Sequence, residues 1–403
     1  MPVSSIIDVA LGPNNTWSIV DSRRQRIYTY DEEGKLLYVF GDKGLQLGQL
    51  QNVVSICYRD TDIMALDQST NSITVYRRTE YGDFIAEAIQ NQIENNYANS
   101  VVYWKEILQR NANFDQSYIG IGDSLYQEGK YEEAMEYYAY AYDTTSYSKS
   151  YKAIRKQWIE KYVLVVIAVI VVFCVALSKF LKFSRKYNVA GQVTKEKRTW
   201  AEATMYGFYV IFHPFDGFWD LKHEKRGNMK GAMTILGFTI LGFIYNAVGK
   251  AYIFDPTNTG VNVFSEFFSI LTPLLLFCVA NWCLTTLFDG EGSFKDIIIT
   301  TCYAILPVPI FMIPATLLTN VFSADEAGVV SFLITIGYIW AGFLLFFGLM
   351  VIHDYSMPKN ILTLVGTIVG MAFIMFVGIL FSGLLSKVFS FVYNIFLELS
   401  YRW

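Results

Sequence analysis

The stretch KYVLVVIAVIVVFCVALSKF, Lys161 to Phe180, divides the chain into two kinds of polypeptide. It carries no charge from Tyr162 to Ser178, long enough as a helix to cross the hydrocarbon of a bilayer. Five more runs of this kind follow, near Gly231 to Ala251, Phe267 to Phe288, Ile297 to Phe322, Val329 to Ile352 and Ile361 to Leu385. The whole chain of 403 residues is 53% hydrophobic and 17% aromatic, too apolar for a soluble protein of that size. Residues 1 to 160 hold 15 Lys and Arg against 22 Asp and Glu, whereas residues 161 to 403 hold 17 against 14. Neither half has a basic block interleaved with aromatics, so nucleic acid is not expected as a partner. Cys174, Cys278, Cys283 and Cys302 fall in apolar runs and read as packing residues, and Cys57 alone cannot make a disulfide framework in the polar half.

Orientation follows from Lys and Arg. Residues 179 to 230 hold eleven, and the loops 253 to 265 and 323 to 328 hold none, which places 179 to 230 in the cytoplasm. Six spans then put the amino-terminal domain and the carboxyl terminus outside, with the loops DGEGSFKD and HDYSMPKN inside. An outward domain calls for a signal peptide, and MPVSSIIDVALG has neither a basic start nor an apolar core. The expectation is a chain shortened at its amino terminus, lacking a signal and some of its repeats.

The polar half repeats itself. DSRRQRIYTY (Asp21 to Tyr30) returns as DQSTNSITVY (Asp67 to Tyr76) at an offset of 46, with Asp21 and Asp67, Ile27 and Ile73, Tyr30 and Tyr76 in register. Alternating strands, Asp turns and Gly-bounded turns at that spacing belong to propeller blades, and residues 5 to 80 resemble NHL repeats. About two blades fit, fewer than a propeller needs to close. From residue 84 the period becomes helical with a second offset of 34, pairing Ala88 with Gly122, Tyr97 with Tyr131, Ser100 with Ala134, Trp104 with Tyr138 and Ile107 with Ala141. This resembles tetratricopeptide repeats, in which small residues (Gly122, Ala134, Ala141) let paired helices approach and aromatics (Tyr131, Tyr138) fill between them. The resemblance implies either a concave surface for a protein or peptide partner or a stalk leading to the membrane.

HPFDGFWDLKHEKRG, His213 to Gly227, is the one stretch with the look of a site, since it gathers two of the three histidines, carboxylates and aromatics. Read as a helix begun by Pro214, it puts Phe215, Phe218, Trp219 and Lys222 on one face and Asp216, Asp220, His223 and Glu224 on the other. That partition predicts an interfacial helix against lipid headgroups or a membrane partner, with a solvated polar face. A rival reading assembles a metal site from His213, His223 and His353, but no HExxH pattern or paired cysteine supports it and no cofactor is expected. The spans hold almost no ionisable residues, which argues against transport. Asn246 and Asn281, their main polar side chains, are expected to bond between helices. Pro307, Pro309 and Pro314 should kink the span that contains them, and Gly366 and Gly370 form a GxxxG.

Five close spans behind HPFDGFWDLK resemble the Yip family of multi-spanning membrane proteins over residues 195 to 395. The family's role with prenylated trafficking GTPases is not carried over, because this chain adds a span and an outward module. The domains expected are blades over 1–82, tetratricopeptide-like helices over 83–158, a first span over 159–182, a basic and aromatic cytoplasmic segment over 183–228 and a Yip-like five-span domain over 229–403. Similar composite architectures accompany bacterial binding-protein-dependent sugar ABC importers. The function expected is therefore a non-enzymatic scaffold or accessory subunit in a bacterial plasma membrane, partnered by lipid, by a membrane protein such as a permease, and by an outside protein. A transmembrane sensor and an intramembrane metalloenzyme are the alternatives.

Overall fold

Short alternating segments closed by Asp, Asn and Gly turns make the start of the chain sheet rather than helix. In a computed structural model describing residues 4–190, 199–257 and 260–402, they form two antiparallel sheets. The first has the order β1 (Ile6–Leu11), β2 (Trp17–Asp21), β3 (Arg26–Tyr30), β4 (Leu36–Phe40), and the second β5 (Val53–Arg59), β6 (Asp62–Asp67), β7 (Ser72–Tyr76). The 46-residue repeat has a physical content. Asp21 is buried at the end of β2, and its carboxylate accepts from the backbone N–H of Ser5, Arg23 and Arg24. Asp67 is buried at the end of β6 and accepts from Gln51, Ser69 and Thr70, each 46 residues on. Those bonds hold both carboxyls below the ordinary carboxylate range against the burial that opposes them. Between the sheets, Val20, Ile27, Val53, Ile56 and Ile63 make an apolar core. Asp8 reaches across to Ser55 Oγ (2.6 Å) and the Ile56 N–H (2.8 Å). Two sheets of four and three strands do not close a propeller. Ile27 is fully buried, whereas its repeat mate Ile73 is 60% exposed on β7, where no further sheet covers it among the described residues.

Four helices follow, α1 (Glu80–Ile93), α2 (Tyr97–Arg110), α3 (Asp115–Gln127) and α4 (Tyr131–Tyr140), each packed on the next. Burial repeats at the 34-residue offset: Ala88 and Gly122, Ser100 and Ala134, Trp104 and Tyr138 are buried pair by pair, and Tyr97 and Tyr131 are half-buried. The pair Ile107 and Ala141 breaks the match, the first buried and the second half-buried. Gly122 is required by contact, since a Cβ there would lie 2.6 Å from the Tyr138 ring. Helix α5 (Thr144–Ala190) continues the chain with a non-helical residue at Tyr162, where it divides into two compact units.

Among the described residues of the chain, six helical stretches are long and apolar enough to span a membrane: Ile167–Arg185, Met229–Val248, Val263–Thr285, Phe294–Thr319, Ala324–His353 and Met357–Glu398. The chain is a multi-pass membrane protein. Lys195, Lys197 and Arg198, part of the basic run used for orientation, lie outside the described residues. The second unit consists of α5 from Val163 onward and of α6 (Trp200–Phe212), α7 (Pro214–Lys222), α8 (Met229–Val248), α9 (Val263–Thr285), α10 (Phe294–Ala304), α11 (Pro307–Thr319), α12 (Ala327–His353) and α13 (Met357–Arg402). Helix α10 is its centre, buried from Ile297 to Ala304 against α6, α8, α9 and α12. The proline-rich span is two helices rather than one kinked one. It breaks at Ile305 and Leu306, Pro307 opens α11 where its missing N–H costs nothing, and Pro314 sits inside α11. The prolines also pack closely: a Cβ at Gly242 of α8 would lie 3.0 Å from Pro309. Asn246 accepts from Thr316 Oγ1 (3.0 Å) across α8 and α11. On α13, Gly366 and Gly370 face Leu284 and Ala280 of α9.

Candidate functional site

The elbow between α6 and α7 is written in a few residues. Thr199 and Glu202 form a capping box that starts α6. His213 ends α6 with φ −131° and ψ 68°, outside the helical region that a following proline disfavours, and Pro214 takes the first position of α7. Gly217 lets α7 fold back on α6, for a Cβ there would lie 3.0 Å from the Val210 Cα.

Helix α7 distributes its side chains differently from a simple two-faced helix. Phe218 is fully buried in the core of the membrane unit with Leu221, against Gly348 of α12, where a Cβ would lie 2.9 Å from its ring. Phe215 and Trp219 flank it, 49% and 50% exposed, with Phe215 4.7 Å from the Phe347 ring and Trp219 stacked on His223 at 4.5 Å. Lys222 is tied down within the protein. Its Nζ donates to Glu291 Oε2 at 2.7 Å, tying α7 to the loop before α10 and holding the Glu291 carboxyl below its ordinary range. Phe218 is therefore a packing residue, and only Phe215 and Trp219 present an apolar surface.

Asp220, expected on the solvated face, points inward as well. Its Oδ2 accepts from the Tyr206 hydroxyl at 2.6 Å and from Arg226 Nη1 at 3.2 Å, and the Arg226 guanidinium lies 4.5 Å over the Tyr206 ring. The Arg226 side chain is 5% exposed. Burial, then the bond to Asp220, pushes the Tyr206 hydroxyl well above the ordinary tyrosine range. The chain reaches this arrangement through Lys225 in a left-handed conformation, φ 51°. Nothing in the helical period of the sequence signals the Tyr206, Asp220 and Arg226 cluster, because Arg226 enters from beyond the helix.

The second polar cluster surrounds His353, which is 1% exposed rather than a loop residue in water. The Gly292 N–H can only donate, so Nδ1 accepts from it (3.3 Å) and the proton sits on Nε2, which donates to Asn281 Oδ1 at 3.0 Å. Asn281 Nδ2 continues to Thr367 Oγ1 at 3.1 Å, linking α12, α9 and α13. Tyr355 stacks on the imidazole at 5.0 Å. The glycines of DGEG are explained by this contact: a Cβ at Gly290 or Gly292 would lie 2.8 or 2.9 Å from His353 Nδ1. His213 stacks on Tyr209 at 4.4 Å. The three histidines thus have three separate sets of neighbours, and among the described residues no three His, Cys, Asp or Glu side chains gather as a metal-holding group.

Both clusters join elements that a comparison with known families treats as one domain. Residues 208–381 match the family model described as the Yip1 domain, a stretch that begins within α6, includes α7 and ends within α13. The match does not reach the repeats of the first unit. No curated protein matches the chain.

Proposed function

We propose that the protein is a non-enzymatic membrane scaffold or accessory subunit, whose Yip1-like unit docks another membrane protein through α7 and whose first unit binds a second partner outside the cell. The observation that carries this reading is the pair of half-exposed aromatics, Phe215 and Trp219, on a short helix locked from behind by Phe218, Asp220 and Lys222. Exposed aromatics cost little order on such a rigid element and are common anchors in interfaces. The polar groups of the elbow are consumed in holding it, which suits a positioned surface better than a reaction centre. A transport permease of the sugar-importing kind fits the composite architecture as the docked partner.

The double variant Phe215→Ser/Trp219→Ser is expected to melt with the wild type and to lose most of whatever membrane protein is recovered with it from native membranes under mild detergent. Equal recovery from both would defeat the docking surface. The orientation is tested apart from this, in a Cys57→Ser/Cys174→Ser/Cys283→Ser background because these three cysteines are exposed. A cysteine at Thr257, exposed between α8 and α9, is expected to react with an impermeant maleimide on intact cells. Protection of Thr257→Cys until the cells are opened would invert the topology and place the first unit in the cytoplasm.

A further inference from the structure

Within the first unit, a cleft of about 330 Å³ opens between the β3–β4 turn, the helices α1 to α3 and the start of α5. That volume lies in the range of sites for small ligands or a few peptide residues. Its walls have a distinct chemistry. Asp31, Glu32, Glu33 and Asp123 supply four carboxylates against two amines, Lys35 and Lys149. The amines are committed: Lys35 Nζ is 2.7 Å from Glu33 and 3.6 Å from Asp123, and Lys149 Nζ sits 4.7 Å over the Tyr126 ring. Asp123 is poorly compensated. Its Oδ1 accepts from Tyr138 at 2.7 Å, while its other oxygen has Lys35 beyond hydrogen-bond reach. Partial burial, with the nearby Glu33 and Asp143 carboxylates, raises the Asp123 carboxyl above its ordinary range despite both neighbours, and its side chain, 41% exposed, is open to a further cation. The Tyr97 ring on the same wall also suits a cation.

One further group is unused. Trp104 is 3% exposed, lines the cleft, and its indole Nε1 makes no hydrogen bond. A buried donor without an acceptor is costly, and Trp104 cannot withdraw, because it is pressed on Gly120, where a Cβ would lie 2.4 Å from the indole. The Gly120 carbonyl, on the same wall, is already taken by Gln92 Nε2 at 2.9 Å and Ser124 Oγ at 2.9 Å.

We propose that this cleft receives an extended peptide segment bearing a lysine or arginine, with the cation held by Asp123 and the rim carboxylates Glu32 and Glu33, and a peptide carbonyl accepting from Trp104 Nε1. This rests on reading the first unit as a binding module and names the chemistry of its ligand. The balance of charge over residues 1 to 160, 15 basic against 22 acidic, favours approach of the same class of partner.

The test uses the full chain in neutral detergent and three probes: fluorescein-labelled Ac-(Ala-Lys)4-NH2, its Ac-(Ala-Glu)4-NH2 counterpart, and spermidine as competitor. The lysine peptide is expected to bind at least tenfold tighter than the glutamate peptide, and more weakly as salt rises. Asp123→Asn is expected to weaken it about tenfold and Trp104→Phe severalfold. Glu32→Gln/Glu33→Gln, which alters only the rim, decides the matter if Asp123→Asn does not fold. Equal affinity for the two peptides, or undiminished binding by the rim variant, would overturn the site. Competition by spermidine at the affinity of the lysine peptide would overturn its peptide character and leave a free-amine site instead. None of these variants touches α7, so loss of peptide binding with full recovery of the membrane partner separates a failure here from a failure of the docking reading.

Discussion

Phe218→Ala is expected to destabilise the membrane unit by about 3–5 kcal/mol, whereas Phe215→Ala and Trp219→Ala should each cost less than about 1 kcal/mol. The three residues are neighbours on one short helix and look interchangeable in HPFDGFWDLK, so the difference comes wholly from where the fold puts them. Phe218 is fully buried and faces Gly348, and both sides of that contact are fixed by backbone. Removing the ring leaves a void that the glycine cannot fill, and the atoms lining it lose their dispersion partners. Phe215 and Trp219 keep half of their surface outside the unit and give up one ring neighbour each. Gly348→Val is the complementary change, since its Cβ would meet both Thr300 Cγ2 at 2.7 Å and the Phe218 ring, and overpacking of this kind costs about 1–3 kcal/mol. Thermal unfolding of the four variants in one detergent, followed by size-exclusion, gives the ranking. A Phe218→Ala protein that melts with the wild type would show that α7 is held by something other than its buried face.

Membrane spans are the most legible part of such a chain, because hydrocarbon requires a long apolar helix regardless of what packs on it. All six runs read from Tyr162 onward correspond to helices, with ends moved by a few residues, apart from the last. That helix runs on to Arg402, far past the Leu385 that a span length suggests. The repeats were legible for a related reason. Asp21 and Asp67 recur because each closes the same turn with the same backbone donors, and Trp104 and Tyr138 recur because each fills the same place between helices. What a repeat cannot say is what covers it: Ile27 is buried in the core shared with the second sheet, and Ile73 is exposed because no further sheet among the described residues covers β7 in the same way.

The polar residues were misplaced for one physical reason. Sorting HPFDGFWDLKHEKRG into two faces assumes that water meets the polar one. Water does meet Asp216, His223 and Glu224, which are exposed, but at Asp220 helix α6 packs instead, bringing Tyr206 from 14 residues upstream, and Arg226 returns through the left-handed turn at Lys225. His353 was likewise read as a loop residue, since its partner Asn281 lies 72 positions away on another helix. Such pairings have no period to find. They exist only once the helices are in place; the Tyr206, Asp220 and Arg226 set then fixes the elbow that carries the exposed aromatics, and the His353 set joins α9, α12 and α13.

Arg226→Met is expected to cost about 3–5 kcal/mol, because it leaves the Asp220 carboxylate partly buried with only the Tyr206 hydroxyl. Asp220→Leu should cost a similar amount, because the Arg226 guanidinium, 5% exposed over the Tyr206 ring, loses its 3.2 Å carboxylate partner and keeps Glu224 at 4.0 Å. The double variant Asp220→Leu/Arg226→Met removes both charges and is expected to recover a large part of the loss, the non-additivity that marks a coupled pair. Alkaline pH gives an independent handle. The folded-state pKa of Tyr206 is raised, so the folded protein holds that proton more tightly than the unfolded chain. The resulting stability is complete below the unfolded tyrosine value of about 10 and is lost as pH rises above it; Tyr206→Phe should show a shallower loss over that range. The same set of variants weighs the ion pair against a metal at this position. A metal reading requires His223→Ala to be as harmful as Asp220→Leu, whereas His223 stacks on the half-exposed Trp219 and its loss should shift the melting temperature little. Damage from His223→Ala equal to that from Asp220→Leu, with no recovery in the double variant, would mean that Asp220 is held for chemistry and not for the shape of the elbow.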